Sequence, residues 1–221
     1  MERHRIKPRA LLFCIGLFLS MAGLLFAFDQ NSPIGIDVIQ PKTISIGSFF
    51  YGEKVAVRAV IPSGAKAALR LLGPREDLAL MRKGRVSGLW MNVEQIHFRK
   101  LPKVYLLWTS DKLAALEPPG ASGDLPLNYE AFLAGSLDEK KQQEEPLLVS
   151  ELIKLKEADH LYQKTENSIR IRPLVGGMWE QADAVLELPS KIYPGSYSLE
   201  LIAIKDGKKT LLHTSTLEVK L

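Results

Sequence analysis

The sequence predicts a mainly-β protein: an immunoglobulin-like antiparallel β-sandwich with a helical insertion, preceded by one N-terminal hydrophobic helix. Three observations predict it. Apolar and polar residues alternate in runs such as 54–61 (KVAVRAVI), the period-two pattern of a strand with one buried face. Such runs recur roughly every ten residues, divided by turns at Pro62-Ser63-Gly64 and Gly73-Pro74, a spacing that suits a sandwich. The chain then closes on the turn Tyr193-Pro194-Gly195-Ser196-Tyr197, a run at 198–205, Asp206-Gly207 and an answering run at 211–219. Asp-Gly is a strong hairpin signal, because both central residues of the favoured turn need positive φ.

The leader comes first. Residues 1–9 (MERHRIKPR) are basic, and 10–28 are nineteen residues without a charge, a basic region followed by an apolar one. Two readings stand. A cleaved signal peptide would end near Ala27, although Leu25 fills a position that usually takes a small residue. An uncleaved anchor would use the whole apolar run, which at about 1.5 Å per residue reaches across roughly 30 Å of hydrocarbon. Either way the basic flank stays in the cytoplasm and residues 30–221 are exported. The only cysteine, Cys14, lies in this leader, so no intrachain disulfide is available. Most of the net charge of +4 belongs to residues 1–9, so the exported part is close to neutral and nucleic acid is not an expected partner. The expected division is 1–28 signal peptide or membrane anchor, 29–42 linker and first strand, and 43–221 sandwich, with the helical insertion at about 125–165.

Within the exported part, strands are expected at 43–46, 54–61, 66–72, 78–83, 89–98 and 104–108, with Pro102 at a turn or edge. The stretch 73–92 (GPREDLALMRKGRVSGLWMN) reads as two paired strands with a basic tip. After Trp108 the character changes. Ser110-Asp111 is placed to cap a short helical turn, DKLAALE, and 118–123 (PPGASG) is a loop. A second short helix is expected at 128–137, then a charged, solvated run at 138–145. Leu148, Leu152, Leu155 and Tyr162 recur at helical spacing and predict an amphipathic helix over 147–163. Strand pattern returns at 169–171 and 182–188.

The chain resembles a bacterial family of uncharacterised envelope proteins of alphaproteobacterial type, classed as transmembrane. The likeness is carried by Gly73-Pro74, the run Arg82-Lys83-x-Arg85-Val86-x-Gly88-Leu89-Trp90-x-Asn92, Pro102, Leu161-Tyr162 and Pro194-Gly195-Ser196-Tyr197, over roughly residues 40–220. The resemblance implies an exported β-rich domain followed by a C-terminal transmembrane helix, whereas this sequence ends at Lys220-Leu221 without an apolar segment. The family's association with sulfite-exporter-type permeases implies an accessory role. It brings no catalytic residues to carry over.

Candidate sites are few. Arg82, Lys83 and Arg85 form a candidate anion site, since the planar guanidinium fork matches oxyanions and phosphate; lipid headgroups are another anionic target. Trp90 and Asn92 are candidates to line a groove, though a tryptophan in a strand-rich stretch is more often core. His97, His160 and His213 lie at no metal-ligand spacing, and no phosphate-binding or dinucleotide glycine pattern occurs. No cofactor, metal or catalytic residue is therefore expected. The expected function is a non-enzymatic envelope domain. It would sit at the periplasmic face of the inner membrane or free in the periplasm, in contact with a membrane protein such as a permease. The alternative is a periplasmic small-anion-binding module.

Overall fold

The computed structural model describes residues 34–118, 125–137 and 143–221. Strands β1 (Gly35–Gln40), β3 (Glu53–Pro62), β10 (Trp179–Leu188) and β9 (Arg170–Pro173) make a four-stranded antiparallel sheet in the order β1-β3-β10-β9. Strands β2 (Thr43–Ser45), β12 (Lys208–Lys220), β11 (Gly195–Lys205), β4 (Lys66–Leu72), β7 (Tyr105–Thr109) and β8 (Tyr162–Thr165) make a six-stranded one in the order β2-β12-β11-β4-β7-β8. Its two outermost pairings, β2 with β12 and β7 with β8, are parallel. Strands β5 (Arg75–Val86) and β6 (Leu89–Pro102) pair as a separate two-stranded ribbon. The architecture is mainly β, with a curled half-barrel sheet and a short helical insertion.

Burial follows the sequence pattern strand by strand. In β3, Val55, Val57, Ala59 and Ile61 are buried while Lys54, Ala56 and Arg58 face out, as strict alternation requires. In β7 all of Tyr105–Thr109 is buried, and β4 is nearly so, because the insertion covers the outer face of the larger sheet. A strand buried on both faces reads as a continuous apolar run, which explains KAALRLL and YLLWT. The Asp206-Gly207 hairpin forms as expected, with φ of +52° and +75°.

The insertion comprises α1 (Leu113–Leu116), α2 (Tyr129–Phe132) and α3 (Glu145–Ala158). An aromatic cluster seats it on the sheet: Tyr105 meets Tyr129 edge-on at 5.2 Å between ring centroids, and Phe132 at 5.0 Å. Buried ion pairs pin it further. Arg70 bonds Glu200 at 2.6 Å and donates to the Pro126 carbonyl at 2.7 Å. Lys209 pairs with Glu117, whose carboxylate also accepts the Leu127 and Asn128 amides; the two paired side chains are only 8% and 9% exposed.

Four expectations are corrected. The amphipathic helix over 147–163 stops at Ala158, because His160 takes positive φ (+59°) and the Leu161 amide closes back on the Lys156 carbonyl. Tyr162 therefore lies in β8, and Leu155 is exposed while Val149 and Ile153 are buried instead. The helix expected at 128–137 is a single turn, α2. The Ser110-Asp111 cap of α1 is not formed by those residues: the preceding position is Lys112, and the Leu113 amide is taken by Glu166 at 2.8 Å. The expected transmembrane helix is corrected as well: among the described residues no helix is long and apolar enough to cross a membrane, and α3 has only 14 residues. The leader 1–28 on which that expectation rested lies outside the described residues, as do most of the loop 118–123 and most of the charged run 138–145.

Candidate functional site

The ribbon grows from the junction between β4 and β7. Gly73 leaves no room for a side chain there, since a Cβ would come within 3.0 Å of Tyr197 and 3.1 Å of Val104. The Gly73 amide donates to the Val104 carbonyl at 2.9 Å and the Lys103 amide to the Pro74 carbonyl at 2.8 Å, closing the ribbon's base. Above it Ile96, Phe98 and Leu101 are buried in the main core, and Glu76 pairs with Lys156 of α3 at 3.0 Å. Arg82 ends this supported half. It bonds Glu144, just before α3, at 2.8 Å and Glu94 across the ribbon at 3.4 Å.

Beyond Arg82 the ribbon changes. Val93 is an extra residue between the pairs Arg82–Glu94 and Lys83–Asn92, a β-bulge. Gly84 makes space for it, because a Cβ at Gly84 would lie 3.0 Å from both Val93 methyls. The ribbon turns at Ser87-Gly88, both with positive φ (+52° and +87°), one residue pair beyond the basic stretch. Thus Arg82, Lys83 and Arg85 lie along β5 and not in a loop at the tip.

The bulge and the pleat sort these residues by face. Lys83 stands opposite Asn92 and Arg85 opposite Trp90, so these four share one face. The Arg85 guanidinium lies 5.7 Å from the Trp90 ring centre. Gly84, Val86, Leu89 and Met91 share the other face with the bulged Val93. The structure thus gathers Lys83, Arg85, Trp90 and Asn92, and parts them from Arg82, which is engaged by two carboxylates. The expectation that Trp90 is core is overturned: it is 69% exposed, on an open ribbon face, whereas Trp108 is core at 3%. The tip leaves apolar surface uncovered, with Leu89 at 68% and Val86, Met91 and Val93 each about half exposed.

A second cluster had no local sequence signal. On the outer face of the smaller sheet, Arg58 pairs with Asp183 at 3.1 Å, Arg172 reaches it at 3.6 Å and Arg170 stands opposite it in register. Burial pushes the Asp183 carboxyl up, but the Gln181 amide and the Arg58 guanidinium more than offset this and hold it below the usual range. A cleft of about 690 Å³ lies over these side chains, with Ala56, Val38 and Val185 in its lining. Arg170 and Arg172 alternate along β9, and only the pairing of strands distant in sequence brings Arg58 and Asp183 beside them.

The buried titratable groups belong to the scaffold. Burial pushes the Tyr105 and Tyr197 hydroxyls up to about 12, and those of Tyr129 and Tyr162 up as well. At Arg70 burial disfavours the charge, but Tyr105 and Glu200 beside it outweigh that and raise its pKa. Among the described residues no three His, Cys, Asp or Glu side chains are grouped to hold a metal ion.

Fold and site together define a mainly-β domain with a helical insertion and a projecting, apolar-tipped ribbon. The chain belongs to the bacterial family described as "Putative transmembrane protein (Alph_Pro_TM)", whose model matches residues 36–221. Membership places it in a bacterial envelope context. No curated protein and no solved structure matches the chain.

Proposed function

We propose that this is a non-enzymatic domain of the bacterial envelope, facing the periplasm, that works by contact at a membrane as an accessory to a membrane protein such as a permease. One observation carries the reading. Among the described residues the outer half of the β5–β6 ribbon pairs only within itself, yet it exposes Val86, Leu89, Met91 and Val93 on one face and Trp90 on the other. Contiguous exposed apolar surface of this kind marks a site of contact. The finer fold reading we infer is immunoglobulin-like. It is supported by strand orders that read A-B-E-D for the smaller sheet and A′-G-F-C-C′ for most of the larger. It is also supported by the Tyr197 hydroxyl, which donates to the Tyr193 carbonyl at 2.8 Å at the entry to β11, as in a tyrosine corner. The test is a pull-down of the full-length tagged protein from gently solubilised native membranes, with mass spectrometry. A membrane protein enriched by the native chain supports the reading; a bait that always emerges alone counts against it.

A second reading, a small-anion-binding module, is favoured by the arginines around Asp183 more than by the ribbon cations. Among the described residues three guanidinium groups there face one carboxylate. Anion binding to the folded state would stabilise it by RT ln(1 + C/Kd) at anion concentration C, so the melting temperature would keep rising with anion concentration. A phosphate- or sulfate-dependent rise at matched ionic strength, lost when Arg58, Arg170 and Arg172 become Ala, is the expected sign.

A further inference from the structure

The tip of the ribbon is chemically two-sided. One face carries Val86, Leu89, Met91 and Val93; the other carries Lys83, Arg85, Trp90 and Asn92. No acidic residue occurs between Lys83 and Val93, and among the described residues neither Lys83 nor Arg85 has a carboxylate at ion-pair distance. The nearest cation toward the base, Arg82, is neutralised by Glu94 and Glu144. The tip is therefore an apolar surface bordered by two uncompensated positive charges.

Its shape narrows the choice of partner. Among the described residues β5 and β6 form a sheet only with each other, so the tip is a thin, two-stranded projection. Its outer edges carry unpaired backbone groups, which cannot enter hydrocarbon without a large penalty. Such an element seats only at the depth of headgroups and upper acyl chains, about 5–10 Å, as interfacial amphipathic helices do. The three residue pairs from Gly84–Met91 to Val86–Leu89 span a similar distance at about 3.4 Å per residue. Tryptophan is the side chain that prefers this depth, and Lys and Arg stems can lie along apolar surface while their charges reach phosphate.

We propose that the ribbon tip is a membrane-surface anchor. Val86, Leu89 and Met91 seat in the headgroup–acyl boundary of an anionic phospholipid leaflet, and Lys83 and Arg85 lie among its phosphates, with Trp90 at the interface. This rests on the reading of the domain as one that works at a membrane, and names lipid as the ribbon's immediate partner there. The charge complementarity of Lys83 and Arg85 with anionic lipid favours this occupant over a neutral bilayer.

Trp90 reports on the contact. The chain has three tryptophans and none in residues 1–33, so the leader is silent in the measurement. The full chain is reconstituted with vesicles of phosphatidylcholine containing phosphatidylglycerol, or of phosphatidylcholine alone, each with brominated acyl chains that quench tryptophan at close range. The Trp90 component is the difference between the native chain and Trp90→Phe. The expected result is a quenched, blue-shifted Trp90 on the anionic vesicles, lost in Lys83→Gln/Arg85→Gln and in high salt. A Trp90 that stays solvent-like on both vesicles overturns the anchor. Equal quenching on neutral vesicles overturns the assignment to anionic lipid. If Trp90 is unquenched by lipid but shielded in a complex co-purified with a membrane protein, the lipid assignment falls and the accessory reading stands. Quenching by anionic lipid with no protein captured from native membranes leaves the anchor standing and removes the accessory reading.

Discussion

Arg82 on the ribbon bonds Glu144, just ahead of α3, at 2.8 Å, and that contact divides the ribbon into a docked half and an unsupported half. Below it Ile96 and Phe98 belong to the core; above it the large side chains are in water. The contact is half-exposed at both ends, so it adds little to global stability but sets where the ribbon is held.

Arg82→Ala should therefore lower unfolding free energy by only about 0–1 kcal/mol. The same change should speed hydrogen exchange in the outer ribbon while the sandwich strands keep their protection. Urea titration and site-resolved exchange check the two halves. A loss of several kcal/mol would mean that the tie supports the whole domain.

Gly84→Ala places a methyl 3.0 Å from both Val93 methyls. The crowding should cost about 1 kcal/mol, toward the low end of overpacking because the site is near the surface. Removing those methyls in Gly84→Ala/Val93→Ala should recover most of it. A double-mutant cycle that shows no coupling would disprove the packing account of the bulge.

Arg70→Ala leaves Glu200 without its buried partner and frees the Pro126 carbonyl. The expected cost is about 3 kcal/mol or more, as for other broken buried pairs. Arg70→Met should be milder because it keeps apolar volume over Phe132. Chemical denaturation of the two variants side by side gives the comparison.

Alkaline pH should destabilise the fold through its buried phenols. Burial raises Tyr105 and Tyr197 from the usual 10 to about 12, so the folded state keeps their protons when the unfolded chain has lost them. Their contribution is complete below about pH 10 and is lost as pH rises to about 12, on the order of 2 kcal/mol each. Phenolate absorbance should then rise cooperatively with unfolding. Tyr197→Phe should lose its share of this dependence, at the expense of the bonds to Tyr193.

Much of the strand order was legible from residue pattern. The run KAALRLL matches β4 residue for residue, and Asp206-Gly207 announces the last hairpin through local backbone preference. Strand ends were less clear: β5 runs on to Val86 and β6 to Pro102, because a ribbon pairs through polar positions that break the apolar pattern. Tyr162 stands at helical spacing from Leu148 and Leu152 yet lies in β8, because His160 turns the chain before the helix can reach it. For the site, the residue types were visible and their grouping was not. Adjacent residues in a strand point to opposite faces, and the Val93 bulge shifts the partner strand by one. Hence Arg82 parts from Lys83 and Arg85, and Trp90 is left in solvent.

The sequence by itself determined the mainly-β class, the turns, the helical insertion and the family, because these depend on local periodicity, backbone preference and motif. Only the tertiary structure decided which cations are free and which apolar side chains are uncovered. It brought Glu144 to Arg82, Glu200 to Arg70, and Arg58 and Arg170 to either side of Asp183. Those are contacts between segments distant in the chain, and burial and charge compensation are properties of such contacts, not of any stretch of residues alone.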